Sequence, residues 1–84
     1  MLRKDKVIIG QLIGGLGNQM FQYVFYKYLS SVKNIELELD LLGFGTHSLH
    51  NGYELNSVFG IEENIASLTR IAKYKSKSSL FLKI

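Results

Sequence analysis

The chain has no cysteine, no proline and no tryptophan among its 84 residues. Without cysteine there is no disulfide framework and no thiolate metal site, so the redox compartment leaves no mark on the sequence. Without proline-rich, repetitive or low-complexity stretches nothing marks a linker, and the short run Lys75-Ser76-Lys77-Ser78-Ser79 is too brief to be one. No apolar run reaches the roughly 18 residues that a membrane span requires. The start, Met1-Leu2-Arg3-Lys4-Asp5-Lys6, leads into a strand pattern rather than the apolar core of a signal peptide. These features predict a cytoplasmic chain whose membrane contact, where it has any, is peripheral.

Charge is scarce as well, with a formal net of +3 that gathers at the two ends. Arg3, Lys4 and Lys6 open the chain, and Arg70, Lys73, Lys75, Lys77 and Lys83 close it. A basic end can attract an anionic lipid surface or a nucleic acid, but here the charges alternate with Ser and Tyr and leave no clean amphipathic face. The expectation is a solvated helix or frayed terminus and no nucleic-acid partner. A chain of this length buries only about 60% of the surface its unfolded form exposes, so one small domain with a thin core is the limit.

What is present is organised around Gly14-Gly15-Leu16-Gly17-Asn18-Gln19-Met20-Phe21-Gln22-Tyr23. Before it, Val7-Ile8-Ile9-Gly10-Gln11-Leu12-Ile13 has the β-branched content of a buried strand. After it, Met20, Phe21, Val24, Phe25, Tyr28, Leu29 and Val32 fall on one helical face, with Gln19, Gln22, Lys27 and Ser30 opposite. On that pattern Phe21, Phe25 and Tyr28 are core residues. Lys33-Asn34 ends the helix, and Ile35 to Leu41 alternates strictly, with aliphatics on one face and Glu36, Glu38 and Asp40 on the other. The carboxylates read as a solvated outer face rather than an acid and base pair. Strand, glycine turn, helix and strand in succession make a βαβ unit with a parallel pairing and a right-handed crossover.

Gly43-Phe44-Gly45 breaks the pattern, and 46–52 reads as a polar loop. His47 and His50 lie there at a spacing seen among metal ligands, but two His in a loop without a supporting scaffold make a poor zinc site, so no metal is expected. Tyr53 to Phe59 predicts a short helical turn presenting Leu55, Val58 and Phe59 and stopped by Gly60. The stretch 61–66 fits no single element. Ser67 predicts the N-cap of a last basic segment running to Ile84.

The glycine turn is the candidate binding element. Three glycines in four positions give φ > 0 freedom and close backbone approach. Asn18 is an N-cap residue type, and the first N–H groups of a helix suit a phosphate or pyrophosphate. Competing motifs fit less well. Gly15-Leu16-Gly17-Asn18-Gln19-Met20 has only the first two glycines of the dinucleotide fingerprint, with Glu38 or Asp40 as the ribose acid, and no Lys-Ser or Lys-Thr follows as a phosphate loop needs. A plain connecting turn needs one glycine, not three.

The same block resembles the amino-terminal signature of the bacterial α-1,2-fucosyltransferases, glycosyltransferase family eleven. Leu37 to Phe44 is similar to that family's second strand and its exit, and His50-Asn51-Gly52-Tyr53-Glu54-Leu55-Asn56-Ser57-Val58-Phe59 to its next block. The resemblance covers most of 7–61. It implies an α/β fold, an incomplete Rossmann-like βαβ half of a two-domain GT-B glycosyltransferase, with 1–84 a truncated amino-terminal domain. It implies transfer of L-fucose from GDP-fucose to the 2-hydroxyl of a terminal galactose, with inversion and no metal or other cofactor. Its partners would be the nucleotide sugar and a galactoside acceptor, with Gly14, Gly15, Gly17, Asn18 and Gln19 lining the cleft. The family's later arginine motif, His-x-Arg-Arg-Gly-Asp, has no counterpart here, so the fragment would be inactive alone. The alternative is a small α/β nucleotide- or anion-binding module.

Overall fold

The computed structural model describes residues 3–45, 52–75 and 79–83. The glycine turn joins β1 (Arg3–Gln11) to α1 (Leu16–Lys33), and β2 (Ile35–Asp40) returns alongside β1. A 3-10 turn over Leu42–Phe44, α2 (Leu55–Phe59), β3 (Asn64–Ile65), α3 (Leu68–Lys75) and β4 (Phe81–Leu82) follow. All strand pairings are parallel, and the sheet order is β3-β2-β1-β4. His47 and His50, like most of the expected polar loop, lie outside the described residues.

Helices cover both faces of this sheet. Ile8, Leu12, Leu37 and Leu39 pack with Tyr26 of α1 and Leu55 of α2, while Val7 and Ile9, one residue out of phase along β1, pack with Ile71 of α3 and with Ala66 just before that helix. That period-two split is what a parallel sheet buried on both sides requires. The βαβ reading and the α/β class stand, and the ambiguous stretch 61–66 contains the two-residue edge strand β3. The basic end meets expectation in part: α3 is a largely solvated helix, though it buries Ile71, and beyond it Phe81–Leu82 forms a strand paired to Ile9 and Gly10 rather than a frayed end. Ser67 caps α3 as its residue type suggests, its Oγ accepting from Arg70 N–H at 3.1 Å.

Two further expectations are corrected. The carboxylate face of β2 is solvated at Glu36, as expected, but not at Glu38 and Asp40, toward the end of the strand that meets α3. Glu38 pairs with Arg70 of α3, and Asp40 is buried, its carboxylate accepting from Leu42 N–H at 2.9 Å where the chain turns out of the strand. The larger correction concerns α1. Phe21, Val24, Phe25, Tyr28 and Val32 are exposed by 44–69%, and the buried positions are Gln19, Gln22, Tyr26 and Ser30. The helix ends as its sequence suggests, with Asn34 left-handed at φ 56° and its N–H returned to Ser30 and Ser31.

Candidate functional site

The buried face of α1 is polar because of what lies beneath it. Strand β1 ends at Gln11 and the chain must then turn through residues 12–15, leaving peptide groups that no ladder serves. Buried peptide groups need partners, and side chains from the helix supply them. Tyr26 donates its hydroxyl to the Gln11 carbonyl at 2.7 Å, and Gln22 Oε1 accepts from Ile13 N–H at 3.1 Å. Gln19 Nε2 donates to the Gly14 carbonyl at 3.0 Å and to the Gly52 carbonyl at 2.8 Å, and its Oε1 accepts from Glu54 N–H at 2.9 Å. Ser30 closes the row by donating to the Ile35 carbonyl. Among the described residues no buried side-chain nitrogen or oxygen lacks a partner.

Gly10 makes the close approach of Tyr26 feasible. A Cβ on Gly10 would stand 2.3 Å from the Tyr26 ring, a distance that real contacts do not reach. Motif reasoning fixes on the glycines of the turn and passes over this one, although it faces the helix by strict alternation with Ile8 and Leu12.

The five expected site residues separate into distinct roles. Gly14 is the only one of the three turn glycines at positive φ, 87°, with the Asn18 side chain lying over it. Gly15 is the N-cap of α1, extended at φ −77° with no side-chain cap bond, so Asn18 is not the cap: it sits within the first turn, exposed. Gly17 is already helical, and a Cβ there would meet nothing within 4 Å. Gln19 is fully buried and spent on three backbone groups, so it holds the turn to the 52–54 segment rather than facing solvent. The first intrahelical bond runs from Gln19 N–H to the Gly15 carbonyl at 3.0 Å. The N–H groups of Leu16, Gly17 and Asn18 therefore precede the helical ladder and point out of its positive end.

The position of this end in the sheet matters. Chain progression runs from β1 to β2 to β3 toward one edge, then returns through α3 to place β4 on the other side of β1. With α1 on one face and α3 on the other, the order of connection reverses between β1 and β4. In doubly wound sheets ligands bind outside the carboxyl ends of the strands at that reversal, which is where residues 12–18 lie. The chain thus has the architecture of a doubly wound α/β domain with its glycine turn at the switch point.

A second polar cluster ties α1 to the start of β3. Glu63 accepts from the Tyr23 hydroxyl at 2.8 Å and pairs with Lys27 at 2.6 Å. Burial first, then that hydrogen bond and the negative charges nearby, pushes the Tyr23 hydroxyl well above its usual range; burial and Glu63 push Tyr53 the same way. No group of three or more metal-ligating side chains occurs among the described residues, and no helix among them is long and apolar enough to cross a membrane.

Comparison with known proteins gives one informative relationship. The chain is 42% identical over 52 residues to the Alpha-1,2-colitosyltransferase of Escherichia coli, a match that takes in 62% of this chain and 18% of the relative. The chain is therefore related in sequence to a glycosyltransferase, of whose length it spans less than a fifth in the matched segment. No protein-family model matches it, and no solved structure matches it.

Proposed function

We propose that the chain is the amino-terminal, Rossmann-like part of a fucosyltransferase-like GT-B glycosyltransferase that forms α-1,2 linkages. The observation that carries this is the 42% identity to a protein named for colitosyl transfer in that linkage. The glycine turn at the sheet's switch point supports it, since a nucleotide-sugar enzyme needs an anion site there. The reaction we assign is transfer of an L-fucosyl group from GDP-fucose to the 2-hydroxyl of a terminal galactose. The acceptor oxygen bonds to the anomeric carbon as that carbon's bond to the β-phosphate oxygen breaks. The hydroxyl proton passes to a base, and the electron pair leaves on GDP.

In this reading Leu16, Gly17 and Asn18 offer N–H groups to the charge that grows on the departing phosphate, and Gly14, Gly15 and Gly17 keep that approach clear of side chains. Gln19 acts as a positioning residue. No metal is required for this assignment, because helix-end donors do the work of a Lewis acid. A nucleotide-sugar donor places the protein in the cytoplasm. The 84 residues hold none of the later arginine motif, so turnover belongs to a longer protein.

The test is an exchange of segments. Residues 7–61 replace the matching segment of the E. coli Alpha-1,2-colitosyltransferase, and glycosyl transfer is followed with that enzyme's own donor and with GDP-fucose. A folded, active chimera supports the reading, and the donor it prefers shows whether this segment influences the choice of sugar. A folded chimera inert with every donor, beside a free chain that binds GDP tightly, would favour the small nucleotide-binding module instead.

A further inference from the structure

The outer stripe of α1 has a form that the proposed reaction does not use. Phe21, Phe25, Tyr28 and Val32 are separated by four, three and four positions, which is the alternation of a coiled-coil seam. All four are exposed, at 69%, 44%, 64% and 63%, and Val24 beside them is exposed at 58%. Such a seam fits another helix lying along it. We infer that this face is the interface between two copies of the chain, packed α1 against α1.

Electrostatics and area both suit a second copy. Helix α1 has two charged residues, Lys27 and Lys33. Lys27 is bound to Glu63, and Lys33 stands in the last turn, so no like charges confront each other across the seam. Self-pairing of a surface meets no electrostatic penalty when the surface is neutral. Three aromatics and two valines at these exposures amount to roughly 500 Å² per copy. A pair would bury about 1,000 Å², the lower limit of a specific interface, which points to a weak, concentration-dependent dimer rather than an obligate one.

Sedimentation equilibrium of the 84-residue chain over a wide concentration range tests this. The expected result is a reversible monomer–dimer equilibrium in the micromolar range. Phe25→Glu and Tyr28→Glu should each weaken it at least tenfold while the far-ultraviolet circular dichroism stays unchanged. Phe59→Glu, an equally exposed apolar position on α2, should leave it intact. Because the chain has no cysteine, the single variant Val24→Cys, beside the seam, gives a reporter that can form a disulfide only with a second chain, and an oxidised dimer is expected at low micromolar concentration. A chain that stays monomeric into the millimolar range overturns the inference and leaves the stripe to a different polypeptide. So does a dimer indifferent to the glutamate variants, or open-ended aggregation in place of a dimer.

Discussion

The sheet-facing side of α1 carries Gln19, Gln22, Tyr26 and Ser30, while its outer side shows Phe21, Val24, Phe25, Tyr28 and Val32 to solvent. Hydropathy alone orders these two faces the other way. The difference teaches that a helix beside the carboxyl end of a parallel strand answers first to unpaired peptide groups. An unpartnered buried carbonyl or amide costs about 1–3 kcal/mol, comparable to what burying one Phe contributes, about 1.5–3 kcal/mol. Each inward amide serves at least one such group, so the polar face wins the inner position. The apolar face is left on the outside.

The most damaging way to break this arrangement is to remove Gln19. Gln19→Leu keeps the bulk but leaves the Gly14 and Gly52 carbonyls and the Glu54 amide without their bonds. The expected loss is about 4 kcal/mol, which would leave only about 1 kcal/mol in a thin domain whose total stability is of order 5 kcal/mol. Urea denaturation should show it directly. Phe21→Gln on the outer face should shift the same midpoint by less than about 0.5 kcal/mol. Equal effects at the two sites would remove the distinction between the faces.

Gly10→Ala comes next. Its added methyl meets the Tyr26 ring, with the backbone of β1 fixed between two neighbouring strands, so the ring must move and the Tyr26–Gln11 bond with it. Overpacking of this kind costs about 2 kcal/mol. A Tyr26→Leu change in the same chain should recover part of that loss, and a double-mutant cycle would measure the coupling. Strictly additive effects would mean that the ring does not rest on Gly10.

Much of the fold was legible because it follows from period and punctuation. The alternation of Ile35 to Leu41, the stop at Asn34 and Gly60, and the cap at Ser67 each follow from a local rule, and each is found in the structure. The cover over Glu38 and Asp40 and the strand at Phe81–Leu82 were not legible. Both depend on α3 crossing to the second face of the sheet, a long-range event that no local pattern encodes. At the turn, three glycines and an asparagine announced a special backbone without saying which residue does what. The signal that could have oriented α1 was present: Gln19, Gln22, Tyr26 and Ser30 follow each other at three, four and four positions. A polar row at helical spacing is naturally taken for a solvated face until the strand end beneath it is known.

The clamp between α1 and β3 gives a smaller and pH-dependent effect. Tyr23→Phe removes one partly buried hydrogen bond to Glu63 and should cost about 1 kcal/mol at neutral pH. The sign at high pH follows from the raised affinity of Tyr23 for its proton, against an ordinary value of 10.0. The folded chain holds this proton more tightly than the unfolded one does. Its contribution is complete below pH 10 and is lost as pH rises above that value through the elevated folded one. Stability of the parent chain should therefore fall along an alkaline limb that Tyr23→Phe flattens. A limb of unchanged slope in the variant would assign it to other groups.

The smallest effect is expected at Gly17, and it is a gain. Glycine inside a helix costs roughly 0.5–1 kcal/mol relative to alanine, because its backbone loses more freedom on folding. Gly17 lies in the first turn of α1 without positive φ, and a methyl group there would meet nothing within 4 Å. Gly17→Ala should therefore stabilise the chain by up to about 0.7 kcal/mol, read as a small rise in denaturation midpoint. Within this chain nothing offsets the cost of the glycine, and close passage of a ligand over the first turn is a physical reason for it to be there. The same substitution in the chimeric glycosyltransferase should then lower turnover on the order of tenfold or more through misplacement of the reacting groups, with no loss of stability to confuse the reading. If Gly17→Ala stabilises the chain and leaves transfer intact, the helix end is not where the departing phosphate sits. Gly14, whose positive φ already accounts for its being glycine, would give no such separation, since a change there alters the turn before any ligand arrives.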